Sequence, residues 1–221
     1  MRRRCFLGMG ASGAAGAARA VGMLGAAGAK AAFAQRGFRP LWNGRDLSDF
    51  KIDTPELWRV EEGMIVGRSP GIKYNEFLRT KKSYGDFHLK AEFKMTDPTG
   101  KANSGIQFRS KETEPPSHEV VGYQADLGQN YWGCLYDESR RKKVLVQAPE
   151  AVIAKIDKAA WNTYEVEAKG PRIVLRLNGA VTVDYTEAEA GIERSGFIAL
   201  QLHSGPPLEM RWRGLVVREL I

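Results

Sequence analysis

Two stretches of this chain decide its fold. Residues 87–95 have the sequence FHLKAEFKM, in which apolar and polar side chains alternate without a break. Residues 173–185 have the sequence IVLRLNGAVTVDY, two alternating runs joined by Asn178 and Gly179. Alternation with a period of two is the pattern of a strand with one buried face. Because both positions of a two-residue hairpin turn need a positive φ, Asn-Gly favours a hairpin, and the two stretches predict an antiparallel sheet that covers a core.

Similar short runs recur along residues 35–221 between clusters of Gly, Pro, Asn and Asp. The further predicted strands lie at 58–60, 64–67, 77–80, 105–109, 120–127, 133–136, 161–169, 197–203 and 209–218. Only Glu150–Lys158 has helical spacing, so one short helix is expected there. About a dozen strands without βαβ alternation predict an all-β fold, a single two-sheet antiparallel β-sandwich or jelly roll.

The alternation also assigns the two faces of the predicted strands, because residues i and i+2 share a face. The apolar set expected between the sheets is Leu89, Ala91, Phe93, Ile106, Phe108, Tyr123, Ala125, Leu127, Ile198, Leu200 and Leu202. The opposite faces then carry Glu92, Gln107, Arg109, Gln124, Asp126, Gln201 and His203. Amides, carboxylates, one guanidinium and one imidazole suit a hydroxyl-rich ligand, which is recognised by directional hydrogen bonds.

Most of the net charge lies at the N-terminus. The 221 residues include 33 Lys and Arg against 26 Asp and Glu, a net charge of +7. Residues 1–34 hold five of these cations and no acid, so the remaining 187 residues carry only +2. Neither a basic stripe nor a nucleic-acid-binding motif is present in that remainder, and we expect no nucleic-acid partner.

Residues 1–34 have the pattern of an export signal. Arg3 and Arg4 precede Phe6, a weakly apolar Ala/Gly stretch follows, and the segment ends on small residues at 32–34. This pattern predicts a twin-arginine signal, removed near residues 34–35, and an exported bacterial protein in the periplasm or outside the cell. A membrane anchor needs about 20 strongly apolar residues, so no stable membrane insertion is expected after signal removal.

Six segments resemble, in the same order, those of the 3-keto-disaccharide hydrolase family. They are LWNGRDL at 41–47, NSGIQFRS at 103–110, GYQAD at 122–126, GCLYD at 133–137, WNTY at 161–164 and LQLHSG at 200–205. The resemblance implies a concanavalin A-like sandwich with a concave front sheet, and cleavage of the glycosidic bond of 3-keto-glycosides. Many members have Glu-x-Gln after Gly-Tyr. Here Gln124-Ala125-Asp126 takes that place, which moves the carboxylate two residues along the same face.

Ordinary glycoside hydrolysis needs two carboxyl groups that flank the scissile bond. The Glu-x-Asp-x-x-Glu string typical of sandwich-fold glucanases is absent, and Glu165 and Glu167 lie on an expected solvated face. A 3-keto sugar needs different groups, because its ketone acidifies the C2–H bond. A base removes that proton, the glycosidic oxygen leaves C1 by β-elimination, and water then adds. Such a site requires one base, a stabiliser of the developing oxyanion and a proton donor for the leaving group.

The candidate catalytic residues are His203 or Asp126 as the base, Arg109 at the oxyanion and Glu92 as a second acid. The candidate substrate-binding residues are Gln107, Gln124 and Gln201 for sugar hydroxyls, with Tyr131 and Trp132 as rings that stack on a pyranose. Neither His-x-His nor a clustered Asp-x-Asp occurs, so no zinc-type site is predicted. A divalent cation held by carboxylate and amide oxygens stays open as the only cofactor.

A second function class uses the same residues. A non-catalytic carbohydrate-binding sandwich would present the same polar face and the same aromatic rings to a sugar. An imidazole, a guanidinium and a carboxylate together exceed what binding alone requires, which favours the enzyme. The preferred sugar and the oligomeric state are not set by these patterns.

Overall fold

The computed structural model describes residues 37–114 and 118–221. The export signal predicted over residues 1–34 lies outside the described residues. Within them the chain forms fifteen strands, a 3-10 turn at Pro55–Leu57 and one short helix, α1, at Glu150–Ile153. The strands are β1 Arg39–Pro40, β2 Phe50–Lys51, β3 Trp58–Glu61, β4 Met64–Ser69, β5 Glu76–Tyr84, β6 Phe87–Thr96, β7 Asn103–Glu112, β8 Val120–Gly128, β9 Leu135–Glu138, β10 Lys143–Val146, β11 Asn162–Lys169, β12 Arg172–Leu177, β13 Ala180–Thr186, β14 Gly196–Leu202 and β15 Leu208–Glu219.

The strands form two antiparallel sheets, as predicted. The back sheet has the order β13-β12-β11-β6-β15-β4-β3, with β1 paired to β15. The front sheet has the order β10-β9-β8-β7-β14-β5-β2. The chain crosses between the sheets at β6, which belongs to the back sheet, whereas β5 and β7 belong to the front sheet. No helix in residues 37–114 and 118–221 is both long and apolar enough to span a membrane.

The core lies between the two sheets and contains every side chain predicted to face inward. Each of those residues is at most 1 % exposed and belongs to one continuous apolar cluster. Phe93 on β6 is central to it, with its ring centroid 5.6 Å from that of Trp212 and 6.1 Å from that of Tyr164. Full burial of an apolar side chain contributes about 1.5–3 kcal/mol, so the alternating strands stabilise the sandwich through this shared face.

Of the local predictions, the hairpin turn is confirmed, whereas the bounds of the helix and the number of strands differ from the structure. Asn178 and Gly179 have φ values of 50° and 79°, which confirms the hairpin turn. The helix predicted over 150–158 ends at Ile153, and both Ile153, its last residue, and Ile156, which follows it, pack on the core. Strands β1, β2 and β10 were not predicted, since runs of two to four residues show little periodicity.

Candidate functional site

A row of three buried amides crosses the outer face of the front sheet. Gln107 on β7 donates from Nε2 to Gln124 Oε1 on β8 at 2.6 Å. Gln124 in turn donates from Nε2 to Gln201 Oε1 on β14 at 3.0 Å. All three are at most 1 % exposed. The row can cross β7 because Gly105 has no side chain, and a Cβ there would lie 2.9 Å from Gln124 Nε2. The predicted shared face of these amides is confirmed.

Beside the amide row lies a cavity of about 420 Å³, here called the front cavity. Its walls are formed by Asn75, Asn103, Glu119, Gln124, Asp126, Gln129, Tyr131, Tyr136, Glu138, Ser139, Lys142 and His203. Four of the predicted site residues meet there, namely Gln124, Asp126, Tyr131 and His203. The cavity therefore joins an imidazole to carboxyl and amide groups on one face of the front sheet.

Asp126 lies on the same face of β8 as Gln124 and is 4 % exposed. Its Oδ1 accepts hydrogen bonds from Asn103 Nδ2 at 2.7 Å and from the backbone N–H of Leu127 at 2.8 Å. Burial raises the pKa of the Asp126 carboxyl well above its ordinary value, and the nearby charge of Glu138 acts in the same direction. Asp126 is thereby held toward its neutral form, in which it can donate a hydrogen bond.

Glu138 is a second carboxyl group in the front cavity. Burial, followed by the negative charge of Glu119, raises the pKa of Glu138 to about 7. The positive charge of Lys142 opposes this shift. A carboxyl group with a pKa near neutrality can exchange a proton with a substrate in either direction, which makes Glu138 a candidate general acid or base.

The hairpin between β9 and β10 carries Glu138 and Lys142 to the cavity. Ser139 and Lys142 both have positive φ, 56° and 52°, a conformation that costs non-glycine residues energy. Asp137, which is fully buried, receives ion pairs from Arg140 and Arg141 and so fixes the turn from its far side. The strained backbone is therefore held by buried charge pairs, and the Lys142 side chain lines the cavity.

His203 follows the end of β14 and is held in one orientation. Its Nδ1 lies 2.6 Å from the backbone oxygen of Ser204. Because a carbonyl oxygen only accepts, Nδ1 carries the proton and the lone pair of the neutral ring is on Nε2. Asn75 fixes the same turn, since its Oδ1 accepts from Ser204 N at 2.9 Å and its Nδ2 donates to Glu119 at 3.0 Å.

Arg109 is not in the front cavity, which corrects its predicted role at the oxyanion. A bulge between Phe108 and Lys111 interrupts the alternation of β7, and Arg109 has a φ of 47° there. Its guanidinium is directed to the turns at the end of the sandwich. It donates to Gly85 O at 3.0 Å and to Gly170 O at 2.8 Å, and it pairs with Asp86 at 2.8 Å. Arg109 ties these turns together.

Glu92 and Trp132 are also placed elsewhere. Glu92 lies on β6, so its polar face is that of the back sheet, where it pairs with Arg213 at 2.6 Å. Trp132 is 5 % exposed and its ring centroid lies 6.1 Å from that of Phe93. The prediction that Glu92 shares a face with the amides is wrong, because period-two alternation does not say which sheet a strand joins. Trp132 points away from its neighbour Tyr131, toward a different cavity.

Several residues of the front cavity were missed in the sequence. Glu138 belongs to a mixed-charge stretch, 137–141, for which the sequence leaves two interpretations open, a wall of the cleft or a solvated loop; no catalytic role is predicted for it, and the structure places it at the end of β9 on the cavity. Asn103 is at the start of β7, two residues before the predicted strand. Lys142 carries no sequence signal, since its position depends on the shape of the hairpin.

The described residues contain one group that could supply three metal ligands. Ligand atoms of Asp53, Glu76 and His118 lie within 4.8 Å of one another. Asp53 is engaged by Arg79 at 2.5 Å, and Glu76 accepts two hydrogen bonds from Thr54. Because a guanidinium already neutralises Asp53, this group gives no specific support for a cation.

Three solved structures illustrate what the fold is similar to. A protein of Parabacteroides distasonis, assigned provisionally as a glycosyl hydrolase, is 20% identical with a TM-score of 0.63, covering 88% of this chain and 97% of that chain. A carbohydrate-binding module of Bacillus subtilis is 16% identical with a TM-score of 0.57, covering 83% and 96%. The Bacillus licheniformis β-glucanase is 12% identical with a TM-score of 0.54, covering 85% and 100%. At these identities the likeness shows the fold alone.

The amino-acid sequence gives the more specific assignment. None of the curated proteins matches it. The family model of the 3-keto-alpha-glucoside-1,2-lyase-like domain matches residues 37–218, which include both sheets and the front cavity. The chain therefore belongs to the 3-keto-alpha-glucoside-1,2-lyase-like domain family.

Proposed function

We propose that the protein cleaves the glycosidic bond of 3-keto-glycosides or 3-keto-disaccharides by β-elimination in the front cavity. Family membership supports a carbohydrate-active domain that acts on glycosidic bonds. The observation that carries the finer proposal is the combination of one imidazole that has a free nitrogen with two carboxyl groups of raised pKa. This combination suits proton abstraction next to a ketone.

His203 is the base in this proposal. Its Nε2 lone pair is available because Nδ1–H is bound to Ser204 O. Asp126, the other candidate base, is a weaker choice, since burial favours its neutral form. His203 takes the proton from C2, and the C2–H electron pair becomes the enolate, with its negative charge on the C3 oxygen.

Asp126, Lys142 and Glu138 serve the remaining steps. The neutral carboxyl of Asp126 donates a hydrogen bond to the C3 oxygen, and the Lys142 ammonium favours negative charge there. The electrons then form the C1–C2 double bond as the C1–O bond breaks, and protonated Glu138 gives its proton to the leaving oxygen. Addition of water across the double bond completes the reaction and releases the 3-keto sugar.

Turnover in D2O tests this mechanism. A 3-keto-glucoside and the unoxidised glucoside are offered to the full chain, and the release of the leaving group is measured together with deuterium at C2 of the product. We expect release from the ketone alone, with deuterium incorporated at C2. Cleavage of both substrates at similar rates, or cleavage without deuterium at C2, would contradict the proposal.

A non-catalytic carbohydrate-binding domain is the second candidate. It is favoured by the buried amide row, since amides that are already hydrogen-bonded to one another form a rigid surface for sugar hydroxyls. Calorimetry that shows binding of the 3-keto-glucoside, together with no released product after several hours, would support this second candidate and contradict the first.

We also propose that the protein is exported through the twin-arginine route and acts in the periplasm or outside the cell. The paired arginines and the acid-free segment 1–34 support this. Expression of the full chain in a bacterium, followed by mass spectrometry, should give a mature N-terminus near residue 35. An intact N-terminus in the cytoplasmic fraction alone would oppose it.

A further inference from the structure

A second cavity, here called the side cavity, lies next to the front cavity and has a volume of about 460 Å³. The loop Gly128–Gly133 forms the wall between the two. Consecutive aromatic residues of this loop face opposite ways, since Tyr131 lines the front cavity and Trp132 the side cavity. Gln129 lines both cavities. The two cavities are therefore neighbours that share Gln129.

The loop is held close to residues 101–102, which lie just before β7. A Cβ on Gly128 would lie 2.3 Å from the backbone oxygen of Ala102, and Gly128 has a φ of 102°. Gln129 donates from its side chain to the backbone oxygen of Lys101. Because the wall is fixed by these close contacts, both cavities belong to the folded state without rearrangement of the loop.

The side cavity is positively charged. Lys94 and Lys158 line it, and neither makes an ion pair with a carboxylate in the part of the chain that the structure describes. Its one acid, Asp97, is occupied by its own turn. Asp97 Oδ1 accepts from the N–H groups of Thr99 and Gly100 at 2.9 and 3.0 Å, and Oδ2 accepts from Ala102 N at 2.8 Å. Although burial opposes them, these hydrogen bonds lower the pKa of Asp97, so the side cavity has one carboxylate against two ammonium groups.

An apolar floor lies below these charges. Met95 and Trp132 line the cavity, and Lys158 Nζ lies 5.5 Å from the centroid of the Trp132 ring. A cation over an aromatic ring, beside a thioether, matches a ligand with an apolar ring face and an anionic substituent. A pyranose that bears a carboxylate has both features.

We infer that the side cavity binds a carboxylate-bearing sugar ring, a uronic acid, as the leaving group of the glycoside whose keto sugar occupies the front cavity. The two cavities differ in the balance of their charged groups, and the balance in the side cavity favours an anionic ligand. The side cavity has two lysines against the single carboxylate of Asp97, whereas the front cavity has three carboxyl groups, Asp126, Glu138 and Glu119, against Lys142 and His203. The inference rests on the proposed function for its assignment of the leaving group.

Direct binding of D-glucuronate tests the inference without any turnover. The full chain is titrated with D-glucuronate and with D-glucose, and the indole N–H resonance of Trp132 is followed by NMR. We expect D-glucuronate to bind about fivefold more tightly than D-glucose, the effect of about 1 kcal/mol for one charge pair, and to shift the Trp132 signal. The preference should weaken as salt is raised.

Three variants make the test specific. Lys94→Gln and Lys158→Gln should each reduce the affinity for D-glucuronate about threefold while the affinity for D-glucose stays constant. Lys155→Gln is the matched control, since Lys155 is exposed on the same connection but does not line the side cavity. Equal affinities for the two sugars, or full D-glucuronate binding by the Lys94→Gln/Lys158→Gln double variant, would overturn the inference. D-glucuronate binding without turnover of any 3-keto-glycoside would instead overturn the proposed function, and with it the assignment of the uronic acid as the leaving group, while the binding site itself would stand.

Discussion

The outer faces of the two sheets have the same alternating pattern, but their polar groups differ in burial and in pairing. On the back sheet, charges occur in exposed or half-exposed pairs, such as Arg213 with Glu92 at 2.6 Å and Arg172 with Asp184 at 2.7 Å. On the front sheet, the three amides are buried and bonded to one another. The acids next to them, Asp126 and Glu138, have raised pKa values because burial outweighs the favourable contacts they make.

This difference shows what separates a chemical site from an ordinary polar surface. Paired charges at a solvated surface satisfy each other and contribute little, about 0–1 kcal/mol per pair. A carboxyl group that is buried without a cation keeps its proton and can pass it to a ligand. The capacity for chemistry therefore arises where burial outweighs charge compensation, as at Glu138, whose pKa is raised although Lys142 opposes the shift. It does not follow from residue type alone.

The largest expected effect separates two histidines, one on each face. His203→Ala should lower kcat/KM on a 3-keto-glucoside by about 10²–10⁴-fold, because it removes the proposed base. His88→Ala on the back sheet should leave kcat/KM unchanged, since His88 is held by Glu165 at 2.8 Å, far from the proposed chemistry. Steady-state kinetics on both variants, with Tm as a folding control, makes the comparison. Equal losses in the two variants would contradict the assignment.

The second prediction disrupts the amide row through the backbone below it. Gly105→Ala places a Cβ 2.8 Å from Ala125 O and 2.9 Å from Gln124 Nε2, so the row must shift. We expect a loss of about 1–3 kcal/mol in the free energy of unfolding, the usual cost of overpacking. Gly85→Ala is the control, because its nearest neighbour would be 3.9 Å away, and it should change stability by no more than about 0.5 kcal/mol. Denaturant unfolding of both variants checks this, and equal midpoints would refute it.

The third prediction concerns the pH dependence that Glu138 introduces. If Glu138 is the proton donor, kcat/KM falls above a pH of about 7, where its carboxyl ionises. Glu138→Gln should remove this alkaline limb and lower kcat/KM below pH 7 by about tenfold to a hundredfold. A limb that survives in Glu138→Gln would assign it to another group.

Glu138 also makes the stability of the wild-type protein fall as pH rises, and Glu138→Gln is the reference that tests this. Between the ordinary Glu pKa of 4.5 and about 7, the unfolded state has released its proton while the folded state retains it. The contribution of Glu138 is therefore fully present below the unfolded pKa and is lost as pH rises through the folded pKa. Relative to Glu138→Gln, the wild-type protein should lose stability over this range. A constant difference in unfolding free energy from pH 4 to 8 would contradict the raised pKa.

The sandwich can be predicted from the sequence because the alternation of apolar and polar residues is a local property of each strand. Alternation fixes which side chains of a strand share a face, and all the core residues assigned in this way are buried. It does not identify the sheet that each strand joins, which is why Glu92 was grouped with the amides. It also fails at the bulge that turns Arg109 away and at the hairpin that presents Lys142. The sheet that β6 joins depends on long-range pairing, and the bulge at Arg109 and the hairpin at Lys142 depend on single residues with positive φ. Period-two alternation gives no signal for either.

The smallest expected effect tests the back sheet directly. Glu92→Gln removes the charge that pairs with Arg213, whose guanidinium also lies 4.0 Å from the Trp161 ring centroid. Because this cation keeps its aromatic partner and contact with solvent, the loss in unfolding free energy should be under about 1 kcal/mol. The kcat/KM of Glu92→Gln on a 3-keto-glucoside should equal that of the wild type. A large activity loss in this variant would mean that polar residues of both sheets take part in the reaction, and the distinction between paired and uncompensated charge would fail.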